Sequence, residues 1–469
     1  MGSNAGPSDA GPLAKFRLAI CGGGIGGFTL ASVLARHAHP DSPIEVHVYE
    51  AAQKISTIGA GLLIWPRTWH LIDLLGLEVE TARISTEPPS EVPKPGFLYR
   101  LSDRQREPYT FYELMLPRAT TLHRADLLDV LRYSLPTSYT IHTAKRLVCY
   151  AETQDSTGKP ILTLYFTDGT TAETDVLVGA DGLKSATRGC MYTLAHEHDC
   201  TPCTDVLTCP RCAVVTPQWS GMIIWRCLIP EERLRSVNPA HRALKFTLSY
   251  CGKNKHVVAY PISNGRIVNF IAFYTQPELE GTPYPDKSGE PAAKEEVLAH
   301  FVGWEREVLE LLECTENLTK WAINCMGALP FSVSRRVALM GDAAHAKQTH
   351  QGAGAGQAME DGYVLGRLLT HPSTTLARVP AVFQLFQKTR LHFTQDAAQV
   401  SRLTGRMVEF NAEGFYDGSD VPDEKAQLAA LGRGIRELWN WQVDGNVDTL
   451  WERAEAGLAH LAGDENGFH

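Results

Sequence analysis

The stretch from Val337 to Leu369, VALMGDAAHAKQTHQGAGAGQAMEDGYVLGRLL, decides the fold of this chain of 469 residues. It begins as a short apolar strand, turns through Gly341 and Asp342, and passes a glycine-rich loop at residues 352–356 before helical periodicity begins. A glycine loop that leads into a helix N-terminus presents free backbone N–H groups, which suit a phosphate or the electron-rich edge of a planar cofactor. The Asp342 carboxylate, held at the strand end, can accept hydrogen bonds from ribityl or ribose hydroxyls. The stretch therefore predicts a site for FAD.

The N-terminal segment predicts the other half of this dinucleotide site. An apolar strand from Phe16 to Cys21 leads into Gly22, Gly24 and Gly27, which match the G-x-G-x-x-G fingerprint for a pyrophosphate bound beside a helix. A second strand ends at Glu50, 23 residues after Gly27 and close to the spacing of about 20 expected for an acid that holds the adenosine ribose. A glycine-rich turn in an unrelated β-α-β unit is the alternative, but the order of strand, helix and acid favours the dinucleotide site.

Three other segments carry candidate cofactor residues. Gly61 lies in a glycine-lined loop, which could let backbone lie against a flat ring or could be a plain turn. Arg124 stands in the first turn of an amphipathic helix, where a cation opposes the helix dipole, so either an anion lies beside it or the side chain is solvated. Asp181 directly follows the apolar strand of residues 175–180, which places a carboxylate at the sheet edge where α/β folds bind ligands.

Residues 219–273 alternate with a period of two and are interrupted by turn residues, so they predict an antiparallel sheet. His256 and Tyr260 are four residues apart and should point to the same face of one strand. If Arg226 comes from a neighbouring strand, this face offers a cation, an imidazole and a phenol to an aromatic anion. For each of the three, an ordinary position in a sheet is the alternative.

Composition excludes several classes of partner. The 44 Lys and Arg residues are outnumbered by 53 Asp and Glu residues, and the net charge of −9 makes nucleic acid and anionic membranes poor electrostatic partners. No apolar run approaches the roughly 18 to 20 residues that a membrane span needs, and the N-terminus lacks the pattern of a signal or transit peptide. We therefore predict a cytoplasmic protein that acts on small molecules.

The eleven cysteines are best interpreted as reduced thiols. Two pairs, Cys200 with Cys203 and Cys209 with Cys212, could supply four thiolates to a tetrahedral zinc ion. The gap between the pairs is much shorter than in ordinary zinc ribbons, which favours an unliganded loop. We predict no metal site and keep the four-thiolate zinc site as the alternative.

These patterns predict an α/β fold in which a Rossmann-like FAD-binding domain is interleaved with an antiparallel β-sheet domain for the substrate. The FAD-binding domain is expected to comprise residues 15–90, 120–190 and 325–372. The substrate-binding sheet is expected in residues 91–119 and 191–324. Residues 1–14 are expected to form a flexible tail, and residues 373–469 a C-terminal helical region without a motif of its own.

Taken together, the cofactor segments resemble the single-component FAD-dependent aromatic hydroxylases, and the similarity covers residues 16–370. His350 to Gln357, followed by Glu360 and Asp361, is most similar to the salicylate hydroxylase branch. The resemblance implies that Glu50 holds the adenosine ribose.

The same resemblance implies roles for the other cofactor residues. Arg124 would hold the flavin-adenine phosphates and Asp342 the ribityl chain, while Asp181 would serve both FAD and the nicotinamide donor. The remaining residues expected to contact the cofactor, of which the last three would contact the isoalloxazine, are Gly22, Gly24, Ile25, Gly27, Gly61, Gly354, Ala355 and Gly356.

For the reacting side of the site, fungal members of the family carry an arginine, a histidine and a tyrosine on the substrate sheet. These fall on Arg226, His256 and Tyr260 of this chain, and His350 would face the substrate from the flavin side. Family members usually have a proline immediately before the position of His350. Here the residue is Thr349, so the loop lacks the fixed φ that a proline would give it.

The resemblance implies a monooxygenase that uses FAD, O2 and either NADH or NADPH to insert one oxygen atom into a phenolic aromatic acid, such as a hydroxybenzoate or salicylate. CO2 is lost where the attacked carbon carries the carboxylate. Two alternatives remain open: dearomatising hydroxylation or epoxidation of a non-carboxylated phenolic or indolic metabolite, and a flavin-binding protein with impaired turnover, which Thr349 motivates. A monomer or homodimer is expected.

Overall fold

The structure is a computed structural model, and it describes residues 14–55, 60–104, 107–200 and 205–463. The predicted flexible tail therefore lies outside the described residues except for residue 14.

The described residues form nineteen strands, numbered here in chain order. They are β1 (Phe16–Cys21), β2 (Ile44–Tyr49), β3 (Gly61–Ile64), β4 (Lys94–Leu101), β5 (Tyr109–Leu116), β6 (Thr120–His123), β7 (Thr140–His142), β8 (Leu147–Gln154), β9 (Pro160–Phe166), β10 (Thr171–Thr174), β11 (Val176–Gly179), β12 (Gln218–Pro230), β13 (Leu248–Gly252), β14 (Lys255–Ile262), β15 (Ile267–Thr275), β16 (Glu290–Pro291), β17 (Thr319–Cys325), β18 (Val333–Ser334) and β19 (Val337–Leu339).

The same part of the chain forms thirteen α-helices. They are α1 (Ile25–Arg36), α2 (Pro66–Leu75), α3 (Glu78–Ile84), α4 (Arg124–Tyr133), α5 (Ala186–Asp199), α6 (Glu231–Val237), α7 (Lys294–His300), α8 (Arg306–Glu313), α9 (Asp342–His345), α10 (Gly354–Thr370), α11 (Val379–Val408), α12 (Glu424–Leu438) and α13 (Val447–Gly463).

A six-stranded sheet, ordered β18-β19-β11-β1-β2-β7, forms the centre of the cofactor half of the molecule. All of its pairs are parallel except β18 with β19. Its central strands β1, β11 and β19 are short and almost wholly apolar because helices and a second sheet cover both faces. Since β19, β11 and β1 are adjacent, the three turns that follow them lie side by side, although the first and the last are more than 300 residues apart in the chain.

The second large sheet has eight strands in the order β16-β17-β12-β15-β14-β13-β4-β5 and is mostly antiparallel. Residues 219–273, with their period of two, provide its centre, as the sequence predicts. Strands β4 and β5 join its edge, and β4 pairs parallel to β13. The mixed α/β architecture confirms the predicted fold class.

Residues 191–200 and 205–215 do not lie in the region that the predicted division gives them. The sequence assigns them to the antiparallel-sheet region, whereas Met191, Tyr192 and Cys212 are buried in a core with Leu177 and Leu339 of the parallel sheet. The physical reason is that α5 starts seven residues after the end of β11 and packs against that strand.

A three-stranded sheet, β10-β9-β8, packs in the same core as α5 and Cys212 and was absent from the sequence prediction. The described residues after 373 are mainly helical. The 30-residue α11 packs against α10, and α12 packs against β5. Of the described helices, none combines the length and apolar character needed to cross a bilayer.

Candidate active site

A cavity of about 510 Å³ lies between the carboxyl edge of the parallel sheet and one face of the antiparallel sheet. The first turn of α10, the turn after β19 and the segment Lys347–His350 form one wall, and strands β12, β14 and β15 form the opposite wall. The predicted site residues that line the cavity are Gly24, Ile25, Gly61, Arg124, Arg226, His256, Tyr260, Asp342, His350, Gly354 and Ala355.

The other five predicted residues lie outside the cavity lining. Gly22 has a φ of +117°, and a Cβ at this position would lie 2.1 Å from the carbonyl oxygen of Ala180, so only glycine fits where β1 and β11 end together. At Gly27 and Gly356, an added Cβ would collide with Gly22 and Thr68 respectively, so these glycines allow close packing behind the cavity wall.

The two remaining acids, Glu50 and Asp181, are bonded to nearby backbone. Glu50 accepts hydrogen bonds of 2.8 Å from the N–H groups of Gly23 and Ala52, which places its carboxylate at the fingerprint loop. Asp181 accepts hydrogen bonds from the Ser185 hydroxyl and from the Thr187 N–H and hydroxyl. Its carboxylate therefore stabilises the start of α5 in this structure.

The substrate-side residues share one face of the antiparallel sheet. Arg226 on β12 pairs with Ile271 on β15, and Ile271 pairs with Val258 on β14. Val258 lies between His256 and Tyr260, so all five side chains belong to one patch of the cavity wall. The sequence hypothesis places Arg226 on a neighbouring strand; in the structure, β15 lies between β12 and β14.

Three cationic side chains line the cavity without a carboxylate partner among the described residues: Arg226, Arg124 and Lys347. The Arg226 guanidinium lies 4.6 Å from the centre of the Trp321 ring, and burial together with the charge of Arg124 lowers its pKa. Burial lowers the pKa of Lys347 to about 8, and its buried Nζ has no hydrogen-bond partner within the part of the chain that the structure describes. Unpaired cations in a cavity wall fit anionic ligands.

The cavity wall also fits FAD. The N-termini of α1 and α10 both open onto it, and neither has a side-chain cap among the described residues, so their N–H groups are free for phosphate and ring oxygens. A Cβ built on Gly24 or Gly354 would meet no atom within 4 Å, as expected where a ligand passes close to the backbone.

Comparison with known proteins agrees with this geometry. A family model described as an FAD binding domain matches residues 15–401. The chain is 31% identical to a salicylate hydroxylase of Pseudomonas putida, over 95% of this chain and 97% of that protein. The chain is an FAD-dependent aromatic monooxygenase of this family.

Two further similarities support this placement. The monooxygenase is 30% identical to a 6-methylsalicylate 1-monooxygenase of Aspergillus terreus, over 93% of this chain and 89% of that protein. A solved salicylate hydroxylase substrate complex matches it with a TM-score of 0.75 at 27% identity, over 94% of this chain and 98% of that one. These matches confirm the predicted family and FAD as its cofactor.

At the inner end of the cavity, the monooxygenase has a buried group of ionisable side chains that includes one residue the sequence analysis missed. Nδ1 of His256 lies 2.9 Å from Oε1 of Glu409, which follows α11. The His350 ring is 5.2 Å from the His256 ring and has no hydrogen-bond partner among the described residues. Gly405 leaves room for this ring, since a Cβ there would lie 2.3 Å from it.

Burial sets the protonation of this group. It lowers the pKa values of His256 and His350 to about 3 each, so both rings are neutral at ordinary pH. It raises the pKa of Glu409 to about 7. Glu409 lies outside the predicted cofactor segments and carries no local motif, so only its hydrogen bond to His256 of β14 in the folded structure reveals it.

A second buried network supports the turn at Asp342 from behind. The Asp361 carboxylate accepts hydrogen bonds from the backbone N–H of Gly341 at 2.9 Å, from Nε2 of His345 at 2.5 Å and from Nε of Arg390 at 2.7 Å. Arg390 also bonds Glu360, whose carboxylate binds Arg67 as well. The sequence motif includes both acids, but their arginine partners come from α11 and α2.

Thr349 lies at the exposed end of the loop that precedes α10. Its carbonyl oxygen accepts a hydrogen bond of 3.1 Å from the N–H of Gly352, which has a φ of +59°. The backbone carbonyl of this position is thus held by a turn that does not need the proline usual in the family.

Proposed function

We propose that this monooxygenase hydroxylates a phenolic aromatic acid of the hydroxybenzoate type. The observation that carries the proposal is Arg226, a cation without a carboxylate partner among the described residues, which lies on the cavity wall beside His256 and Tyr260. Relatives named for salicylate, 6-methylsalicylate and 3-amino-4-hydroxybenzoate support the same substrate class.

The parallel sheet and the antiparallel sheet have different roles in the proposed reaction. The turns after β1, β11 and β19, with Glu50, Arg124 and Asp342, would hold FAD, and the first turn of α10 would position its ring. When bound, FAD supplies the electron transfer and the activation of oxygen. Overall, NAD(P)H gives two electrons, one oxygen atom of O2 enters the ring and the other leaves as water.

The side chains of the antiparallel sheet orient the substrate and manage its proton. Arg226 pairs with the substrate carboxylate, and a nearby cation also favours the phenolate, whose ring carbon is more nucleophilic than that of the phenol. Nε2 of His256 accepts a hydrogen bond from the phenol hydroxyl, and an ionised Glu409 at Nδ1 stabilises the imidazolium that forms when the proton is transferred. If the attacked carbon carries the carboxylate, its bond to the carboxylate carbon breaks and CO2 leaves as aromaticity returns.

The test is a substrate panel with the FAD-loaded enzyme. We expect hydroxybenzoates to stimulate the oxidation of NADH or NADPH and to yield a product with one added oxygen atom by mass spectrometry. Matched phenols without a carboxylate serve as controls and should stimulate oxidation far less. Absence of both stimulation and product across the panel would contradict the proposal, and a dienone that keeps every carbon would favour the dearomatising alternative.

We further propose that Glu409 is a positioning residue that sets the tautomer of His256. Below its pKa of about 7, Glu409 is protonated and donates to Nδ1, so that Nε2 of His256 carries a hydrogen. Above that pH, the carboxylate accepts from Nδ1–H, and the lone pair of Nε2 is free to take the phenol proton. Neighbouring His350 and Cys251 stay neutral because burial keeps their pKa values at about 3 and about 12.

This assignment predicts a step in the pH profile. For the wild-type enzyme, kcat/KM for a phenolic acid should rise as the pH increases through about 7. Glu409→Gln should remove the step, because an amide does not titrate, while Glu413→Gln, at an exposed carboxylate nearby, should keep it. If the step persists in Glu409→Gln at the same pH, another group causes it.

A further inference from the structure

A second cluster of reactive side chains lies at the C-terminal end of α5. It consists of His196 on the helix, Cys200 directly after it, and Cys209 and Cys212 in the following loop. One ligand atom from each residue lies within 4.8 Å of all the others, and Sγ of Cys200 is 3.9 Å from Sγ of Cys212. None of the four lines the flavin cavity.

The spacing of these atoms matches a tetrahedral metal site. With Zn–S bonds of about 2.3 Å and Zn–N bonds of about 2.0–2.1 Å, the three sulfur atoms and one nitrogen around a tetrahedral zinc ion stand roughly 3.5–3.8 Å apart. The observed separations are within about 1 Å of this range. A disulfide would need sulfur atoms about 2.05 Å apart, and Cys200, Cys209 and Cys212 are all free thiols.

Burial gives a second, independent indication. His196 is 8% exposed, Cys209 2% and Cys212 0%. The Nδ1 atom of His196 is buried without a hydrogen-bond partner among the described residues, an arrangement that costs free energy unless a ligand satisfies the imidazole. A mixed thiol and imidazole set of four is the donor type of structural zinc sites.

We propose that His196, Cys200, Cys209 and Cys212 bind one Zn²⁺ ion in a closed, structural site. On binding, the three thiols lose their protons to solvent, and neutral His196 donates a ring nitrogen. The sequence predicts no metal site, and its alternative is a zinc site with four cysteine ligands. In that set Cys203 lies outside the described residues, and the structure places His196 beside the other three instead.

The position of the cluster indicates what the metal would stabilise. A metal ion there would join Cys209 and Cys212 to the C-terminal end of α5. Near the start of the same helix, the buried guanidinium of Arg188 donates to the carbonyl oxygens of Leu183, Val215 and Ala343, at 2.6, 2.9 and 2.8 Å. Ala343 follows Asp342, so the metal site would help to hold the helix that buttresses the flavin-side turn.

Elemental analysis of the purified, tag-free enzyme tests this proposal. Protein prepared without chelators should contain one zinc ion per chain, and the content should not depend on how much FAD is bound. The double variant Cys209→Ala with Cys212→Ala should lose the zinc. Cys190→Ala, which removes a thiol of α5 outside the cluster, should retain it.

Two further measurements keep the proposal falsifiable if the double variant fails to fold. Removal of zinc from wild-type enzyme with a strong chelator should lower its melting temperature, and added ZnCl2 should restore it. Co²⁺ bound to the chelated enzyme should show the intense ligand-field bands of tetrahedral thiolate coordination, at wavelengths beyond oxidised flavin. The proposal would be overturned if wild-type enzyme contained no more zinc than the double variant, or if Co²⁺ gave no such spectrum. A disulfide between Cys200 and Cys212 in the native enzyme would also overturn it.

Discussion

We expect the Arg226→Gln variant to lose about 100-fold in kcat/KM toward hydroxybenzoates, equivalent to about 3 kcal/mol, because a partly buried carboxylate would lose its charged partner. Arg226 is half-buried, and its charge is not neutralised by any carboxylate within 4.0 Å in the described part of the chain. Most of the loss should appear as a raised KM if the cation acts mainly in binding. Steady-state kinetics with NAD(P)H oxidation and product formation measure both parameters.

The control for this prediction is Arg402→Gln, which removes a partly exposed arginine of α11 that is paired with Glu280. It should stay close to wild type, because surface ion pairs contribute about 0–1 kcal/mol. Phenols without a carboxylate should react equally poorly with wild-type enzyme and Arg226→Gln. An equal loss on carboxylated and non-carboxylated phenols would assign Arg226 to the fold or the flavin rather than to the substrate carboxylate.

The Asp361→Asn variant should lower the free energy of unfolding by about 3–5 kcal/mol, because the buried arginines Arg67 and Arg390 would then share only the Glu360 carboxylate. Asp361 is 1% exposed and bonds Arg390, His345 and the N–H of Gly341. Urea unfolding of the FAD-loaded enzyme measures the change. Because the turn at Asp342 depends on the same carboxylate, FAD should also dissociate more readily from the variant.

The pH dependence of this effect follows from the pKa of Asp361. Burial alone would raise it, but His345 and Arg390 together lower it below its ordinary value. A carboxylate with a lowered pKa stabilises the fold above the unfolded-state pKa of about 3.9, and this contribution is lost as the pH falls below that value. The difference between wild type and Asp361→Asn should therefore be full at neutral pH and shrink in acid.

Asp448→Asn is the matched control, since Asp448 forms an ion pair with His70 in which both side chains are partly exposed. We expect this variant to lose no more than about 1 kcal/mol. If Asp361→Asn is as mild as this control at neutral pH, the buried network does not support the turn at Asp342.

The sequence predicts the elements of the cofactor half of the molecule because the patterns that mark them are local. The glycine fingerprint, Glu50 and Asp342 each follow an apolar strand by one or a few residues, and parallel strands must end at the same edge of their sheet. His256 and Tyr260 were placed on one face by the period of two, and both line the cavity.

The sequence did not reveal the residues whose partners lie far away in the chain. Glu409 meets His256 over 153 residues, and Arg390 meets Asp361 over 29 residues by way of a helix that has no motif of its own. His196 joins the cysteine cluster because the fold brings the last turn of α5 close to Cys209 and Cys212. An amphipathic helix shows which face is buried, but its pattern does not identify which polar residue on that face meets a partner.

The sequence by itself determined the α/β class, the family with its FAD cofactor and the antiparallel sheet, because strand and glycine patterns act within a few residues and parallel strands end at one edge of their sheet. Only the tertiary structure decided which charges are paired and which are free. Arg390 is neutralised by two buried acids, whereas Arg226 faces a cavity without one in the described chain. The physical reason is that pairing and desolvation depend on distances between elements far apart in the chain, and these distances exist only after the sheets and α11 have packed.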